Sequence, residues 1–159
     1  MAVDYRAIRD ALASVAQATG YFDQVVTHEP KSAPGKGLVC CIFAGGIAPS
    51  LSSGLSATSA VLRFSAQVRC SMLREPQDDI DLDLLEAVDT LAAALSGDFD
   101  LDVAGVRGID LLGSMGSPSA GTGAGLAAEF GYIDQDGHMY RVAELNIPII
   151  INDVWAQGA

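Results

Sequence analysis

The sequence contains one long stretch of strictly alternating apolar and polar residues, and this stretch limits the folds that the chain can adopt. In residues 62–72, every even position is apolar and every odd position is polar. A period of two is typical of a strand that buries one face. Residues 60–73 are therefore predicted to form one strand of ~46 Å, at ~3.3 Å per residue, which is longer than usual. Such a strand can extend beyond its own domain towards a neighbouring subunit.

Two segments have the three- and four-residue spacing of amphipathic helices. Residues 4–19 carry an apolar stripe, with Asp4 placed to cap the first turn and Gly20 placed to end the helix. Residues 81–96 carry a second stripe and are followed by Gly97. The predicted apolar stripe of this second helix consists of Leu84, Leu85, Val88, Leu91, Ala92 and Leu95.

Shorter strands and loops are predicted for the rest of the chain. The predicted strands are residues 22–27, 38–44, 106–112, 127–133 and 139–151, and the predicted loops are residues 28–37, 45–56 and 113–125. Asp136-Gly137 lies between the last two strands and predicts a tight hairpin. Pro148 lacks a backbone N–H and is therefore expected at a sheet edge or a bulge.

The order of the predicted elements, α-β-β-β-α-β-β-β, indicates the fold class. Strands follow one another without intervening helices, which argues against a doubly wound fold. We expect an α+β fold in which two helices pack on one face of a mostly antiparallel sheet. The 159 residues fit a single domain, residues 1–159.

The charge of the chain is strongly negative and unevenly distributed. Asp and Glu number 20 against 9 Lys and Arg, which gives a net charge of −11 and argues against a surface that holds nucleic acid or anionic lipid. Half of the residues are hydrophobic, which excludes a disordered chain. Ten acids lie in a stretch without Lys or Arg: Glu75, Asp78, Asp79, Asp81, Asp83, Glu86, Asp89, Asp98, Asp100 and Asp102. They form either a solvated helix face or a field that repels polyanions.

No sequence motif supports catalysis, a cofactor or a metal. After Gly121 and Gly123, Leu126 replaces the third glycine of the G-x-G-x-x-G pattern, and no lysine follows as in phosphate-binding loops. Residues 98–102 do not continue into a calcium loop. His28 and His138 lie in predicted loops, and no nucleophile motif is present. The cysteines Cys40, Cys41 and Cys70 do not have the spacing of zinc ligands and are expected to be buried thiols in a reducing cytoplasm. We expect a protein that is not an enzyme.

Several stretches resemble, in the same order, segments of a family of small tail proteins from actinobacterial phages. The stretches are residues 28–35 (HEPKSAPG), 73–78 (LREPQD), 97–99 (GDF), 111–113 (LLG), 135–137 (QDG), 140–142 (YRV) and 147–155 (IPIIINDVW). Because they span nearly the whole chain, the resemblance is more specific than any single motif.

This resemblance implies a tail terminator, or tail-completion protein, of a long-tailed phage (a siphovirus). Such proteins form a ring, commonly of six copies, on the head-proximal end of the tail tube, where they stop tube polymerisation and face the head connector. The expected partners are further copies of the chain, the tail tube protein and the head–tail connector protein. Genomic DNA is expected to pass through the lumen without specific binding. The expected location is the neck of the virion, after assembly in the host cytoplasm and without membrane contact.

Two groups of residues are expected to serve this role. The candidate lumen-facing acids are Asp78, Asp79, Asp81, Asp83, Glu86 and Asp89. The candidate subunit or partner contacts are His28, Glu29, Pro30, Lys31, Arg63, Arg69, Arg74 and Trp155. Trp155 is expected to pack either in the core of its own subunit or at a subunit contact.

Two alternative functions remain open at this point. The first is another neck component, such as a head–tail joining protein, a tail-completion protein or a tube subunit, because small α+β folds serve all of these roles. The second is a small cytoplasmic enzyme or ligand-binding module that uses the Gly-rich loop at residues 113–125.

Overall fold

The computed structural model describes residues 3–29, 37–51, 54–98, 100–116 and 124–158. The helices are α1 (Tyr5–Ala18) and α2 (Ile80–Gly97), and a short 3-10 turn, Gln77–Asp79, leads into α2. The strands are β1 (Gln24–Val26), β2 (Val39–Pro49), β3 (Ala57–Ser71), β4 (Val106–Ile109), β5 (Ala127–Gln135) and β6 (His138–Ala156). The predicted order of helices and strands is confirmed.

These six strands form one mixed sheet in the order β1-β2-β3-β6-β4, and β5 also pairs with β6. Only the β1–β2 pair is parallel among the strand pairs that the structure describes, and the others are antiparallel. The α+β class with a mostly antiparallel sheet is therefore confirmed.

The longest strand pair is β3 with β6, which runs from Ala57 opposite Ala156 to Ser71 opposite Tyr140. The 15 residues of β3 span ~50 Å. Since β6 accompanies β3 over this whole length, the end of β3 is not a free overhanging strand. It is half of a two-stranded extension that continues beyond the end of β2.

Both helices pack on the same face of the sheet. The even-numbered residues of β3 point to this face, as the alternation in the sequence predicts. In the buried core, these β3 residues pack with residues of α1, α2 and β6. The core includes Ile8, Leu12, Phe64, Ala66, Val68, Leu84, Leu91, Leu145, Ile147 and Ile149. Leu85 is the exception to the predicted stripe of α2, because its side chain is exposed.

The ends of α1 follow the predicted capping chemistry. A carboxylate oxygen of Asp4 accepts a hydrogen bond from the Ala7 backbone N–H at 3.0 Å, which pairs one of the free donors of the first turn. Gly20 has a φ of 67°, the left-handed conformation that glycine adopts readily beyond a helix end. The capping side chain of Asp4 and the left-handed backbone of Gly20 therefore mark the two ends of α1.

The prediction of a loop at residues 45–56 is wrong for its first part, because β2 continues to Pro49. A register shift between Ala44 and Gly46 marks a bulge, after which Ile47 pairs with Leu62 of β3. Glycine and proline weaken a strand only locally, and an available partner strand compensates for this. The long β3 supplies that partner.

Pro148 does not lie in an edge strand, because β6 has neighbours on both sides. Its carbonyl accepts a hydrogen bond from the Asp110 backbone N–H at 2.9 Å, so this side of the residue faces β4. The absent N–H of Pro148 points the same way, into the gap between the start of β5, where Ala127 pairs with Asn146, and the end of β4, where Ile109 pairs with Ile149. Proline needs a position where the sheet requires no N–H, and this gap between two neighbouring strands provides one.

The β5–β6 hairpin is confirmed. Asp136 and Gly137 have φ values of 54° and 78°, the two positive angles that a type I′ turn requires. Gln135 pairs with His138 across this two-residue turn.

Gly125, just before β5, occupies a position that has no room for a side chain. A Cβ at this position would collide with the Leu111 carbonyl oxygen and lie 2.8 Å from its carbon. We expect Gly125→Ala to lower the free energy of unfolding by about 1–3 kcal/mol in urea denaturation, because packed backbone must shift. The control is Gly97→Ala in α2, where a Cβ meets nothing within 4 Å and stability should be unchanged or higher. Equal losses in both variants would contradict this assignment.

Candidate functional site

The six candidate lumen-facing acids form one continuous surface, here called the acidic surface: Asp78, Asp79, Asp81, Asp83, Glu86 and Asp89. They occupy the 3-10 turn and the first half of α2. α2 buries Leu84, Val88 and Leu91 against the sheet, so the opposite side of the helix is exposed to solvent. All six acids lie on this solvent side or at its margin, and only Asp83 is partly buried.

Three of these acids are engaged within the chain. Asp81 accepts a hydrogen bond from Arg141 Nε at 2.8 Å, and Asp83 pairs with Arg74 at 3.1 Å. Glu86 accepts a hydrogen bond from the Tyr21 hydroxyl at 2.9 Å.

The other three acids present their charge outward. Asp78, Asp79 and Asp89 are exposed, and their carboxylates have no hydrogen-bond or ion-pair partner among the residues that the structure describes. Asp81 and Asp83 are neutralised by arginines, whereas Glu86 is bonded to a neutral hydroxyl and keeps its charge. The free negative charge of the acidic surface therefore lies on Asp78, Asp79 and Asp89, which have no described partner, and on Glu86.

Arg141 connects the acidic surface to the sheet, and the sequence analysis did not identify it. Its guanidinium carbon lies 4.4 Å from the ring centroid of Tyr132 and 5.4 Å from that of Phe130. It also donates a hydrogen bond to the Gly131 carbonyl at 3.3 Å. A stacked guanidinium of this kind retains its geometry better than a free arginine. The alternation in β5 places both aromatic rings on one face, which is the sequence signal for this site.

The candidate contact residues are scattered over several surfaces. His28 and Glu29 are exposed after β1, and Pro30 and Lys31 lie outside the described residues. Arg74 borders the acidic surface, where it pairs with Asp83 and donates to the Cys70 sulfur at 3.8 Å. The structure therefore does not bring this group together into one site.

The prediction of Arg69 as a surface contact is wrong. Its side chain is buried, with 2% exposure, and its guanidinium donates hydrogen bonds to Gln67 at 2.7 Å and Gln135 at 2.5 Å. The alternation assigns Arg69 to the polar face of β3, but that face is also covered at this end of the sheet. Two glutamine side chains satisfy the buried cation there.

Arg63 lies in a groove on the face of the sheet that is opposite the helices. The groove has a volume of about 520 Å³, and its lining includes Ser65, Glu129, Glu144 and Asn146. The Nε atom of Arg63 is buried and has no hydrogen-bond partner in the described part of the chain. Glu129 and Glu144 lie directly opposite each other in the β5–β6 register, an arrangement that like charges disfavour. The lining of the groove therefore contains the cation of Arg63 and the two carboxylates of Glu129 and Glu144.

Trp155 does not pack in the core of its own subunit. Its side chain is 40% exposed, near the end of β6, where it lies opposite Thr58 of β3. The isoleucines that precede it, Ile147, Ile149 and Ile151, are buried as expected. The expectation of core burial for Trp155 is therefore wrong, and a subunit contact remains the prediction.

The thiols of Cys40 and Cys41 are poor nucleophiles and metal ligands in this fold. Burial raises the pKa of Cys40 to about 12 and that of Cys41 to about 11, so both stay protonated at neutral pH. Within the described ranges, no group of three or more His, Cys, Asp or Glu side chains is placed to hold a metal ion. In the same residues, no helix is both long and apolar enough to span a bilayer.

Comparisons with known proteins show a likeness in structure to solved chains. No protein-family model matches the chain, and no curated protein matches it. The chain is similar to a chain in a solved structure described as "Virion of native gene transfer agent (GTA) particle", at 15% sequence identity and a TM-score of 0.42. The match covers 94% of this chain and 92% of that chain. This level of similarity carries no argument about function.

The contact between Tyr21 and Glu86 predicts a specific loss of stability at high pH. Burial, and then the hydrogen bond to Glu86, raise the pKa of Tyr21 from 10.0 to about 12. Because the folded-state pKa is the higher one, the contribution to stability is complete below pH 10 and is lost as the pH rises towards 12. We expect Tyr21→Phe to be less stable than wild type at pH 8 and to show a smaller decline between pH 10 and 12, measured by urea denaturation.

The matched control is Tyr5→Phe, because Tyr5 is an exposed tyrosine of α1. This variant should keep both the stability at pH 8 and the decline of the wild type. If Tyr21→Phe shows the full wild-type decline, the Tyr21–Glu86 contact does not link folding to pH.

Proposed function

We propose that this chain is a structural subunit of a phage virion, and specifically a tail terminator. In this role, copies of the chain form a ring, in the simplest case a hexamer, on the head-proximal end of the tail tube. The ring stops tube polymerisation and meets the head connector in the neck. The whole chain, residues 1–159, acts as one domain without catalytic residues.

The observation that carries this proposal is the ordered resemblance to phage tail proteins. It extends from His28 to Trp155 and includes segments in loops, just before α2, at the end of α2, in the hairpin turn and in the last strand. The turn-forming preferences of a few residues would be enough to explain a resemblance confined to one motif. They do not explain seven matching segments in the same order.

The open edges of the sheet support assembly into a ring. β1 pairs with β2 only from Val39 to Cys41, so among the described residues the outer edge of β2 has no strand neighbour after that point. On the other side of the sheet, β5 pairs with β6 alone in the part of the chain that the structure describes. Exposed strand edges favour association, and a head-to-tail ring covers both edges of every copy.

The acidic surface supports a role next to DNA without binding it. Six copies at −11 each carry a formal charge of about −66 around one channel. We propose that Asp78, Asp79 and Asp89, whose carboxylates have no described partners, face the lumen, with Asp81, Asp83 and Glu86 beside them. A negative wall repels the phosphate backbone, so the genome slides past without adhering.

The remaining candidate residues are proposed as contacts with other copies, the tail tube or the connector. His28, Glu29, Arg63, Arg74 and Trp155 keep this assignment, together with Pro30 and Lys31 from outside the described residues. Arg69 does not keep it, because its guanidinium is buried within the subunit.

Deletion of the gene from the phage tests the terminator role directly. Without a terminator, the tube continues to polymerise, so the lysate should contain headless tails of abnormal length in negative-stain electron microscopy. Complementation with the wild-type gene should restore a single tail length. Free tails of normal length would instead indicate a head–tail joining role and would contradict termination.

Charge reversal of the free acids tests their placement in the lumen. In the complemented deletion strain, we expect the triple variant Asp78→Lys, Asp79→Lys and Asp89→Lys to form tails of normal length but to eject DNA more slowly. Ejection should be slower because the new lysines attract the phosphates of the passing DNA. The control is Asp10→Lys in α1, outside the acidic surface. Normal ejection in the triple variant, or a neck structure with these acids on the outer wall, would refute the lumen placement.

A further inference from the structure

The two-stranded extension of β3 and β6 ends in a group of exposed apolar side chains, here called the apolar tip: Ile47, Leu51, Leu55 and Trp155. Ser50 donates its backbone N–H to the Ser59 carbonyl at 2.8 Å, which ties the end of β2 to β3. Gln157 donates its backbone N–H to the Ser56 carbonyl at 2.9 Å, which ties the end of β6 to the connection between β2 and β3. The four side chains therefore belong to one end of the sheet.

All four side chains of the apolar tip are exposed to solvent. Ile47 is 42% exposed, Leu51 is 68% exposed, Leu55 is 99% exposed and Trp155 is 40% exposed. Single exposed apolar residues are ordinary on protein surfaces, but a group at one end of a sheet is typical of an interaction site. Burial of such surface contributes about 25 cal/mol per Å².

The charge distribution indicates which occupant fits the tip. No charged residue occurs from Ile42 to Leu62, a stretch that includes the end of β2 and the start of β3. Arg107 and Asp153 also lie at this end, where both bond to the Ser59 hydroxyl oxygen, and their opposite charges balance. The acidic surface lies apart from this end, on the 3-10 turn and α2. Two copies with a charge of −11 repel each other, so they approach at the least cost through a surface without net charge. A basic partner would instead favour the acidic surface.

We propose that the apolar tip is a contact surface for a second copy of this chain. This inference rests on the proposed ring and names the part of the subunit that holds the copies together. It also assigns a role to Trp155 and Leu55, which the core of a single copy does not use. The open outer edge of β2 adjoins the tip and extends the same surface without net charge.

The test is sedimentation equilibrium of the purified chain and two double variants. The tip variant is Leu51→Ser with Leu55→Ser. The control is Leu82→Ser with Leu85→Ser, which removes two leucines of α2 that are also exposed and lie within the acidic surface. Thermal unfolding checks that both double variants are folded, which the exposure of all four side chains favours.

We expect the tip variant to weaken self-association about tenfold or more, and the control to change it less than about twofold. Raising NaCl from about 0.1 to 0.5 M should tighten the wild-type association, because salt screens the repulsion between the acidic copies and leaves an apolar contact intact. Looser association at high salt would overturn the proposal.

Three further results would also overturn it. The first is a wild-type chain that stays monomeric up to about 1 mM. The second is equal association of the tip variant and the wild type. The third is a tip variant that associates normally but no longer binds purified tail tubes, which would make the tube the occupant. Failure of the terminator role has a different signature, since it appears as normal tail length after gene deletion whatever the tip variants do.

Discussion

The structure depends on the pairing of β3 with β6 along almost their entire lengths. Every other strand except β1 pairs with one of these two, and both helices pack on the face that they share. Residues far apart in the chain meet in this pair, from Ala57 with Ala156 to Ser71 with Tyr140. Folding must therefore close a long loop before most of the core can form, because local contacts alone do not bury Phe64 or Leu145.

Features that depend on neighbouring residues in the chain could be predicted from the sequence. The alternation in residues 62–72 predicted β3, the stripe and the Asp4 cap predicted α1, and Asp136-Gly137 predicted the hairpin turn. In each case the residues that determine the feature lie within a few positions of one another, so a local pattern in the sequence is enough to predict it. The α+β class follows from the order of these elements.

Features that depend on a distant partner could not be predicted in this way. β2 extends through glycine and proline because β3 lies beside it, and Arg69 is buried because Gln135 reaches it from a position 66 residues away. The acids of α2 were recognisable as a group. Their partners were not, since Arg141 is 60 residues from Asp81 and nothing in the local sequence links them. Which acids are paired with arginines within the chain, and which keep their charge, is therefore information that only the folded chain contains.

The break at Pro148 has a consequence for how this sequence can diverge. The segment between β4 and β5 leaves the sheet at Asp110 and returns where the Leu126 backbone N–H donates to the Leu111 carbonyl at 3.0 Å. Its two ends are thus fastened side by side, and the Asn146 side chain holds the returning end by donating to the Gly125 carbonyl at 2.9 Å. Doubling the length of a loop that is closed in this way costs only about 0.6 kcal/mol. Insertions and deletions between these anchors leave the register of β6 unchanged, so relatives of this chain are free to differ there in length while they keep the same sheet.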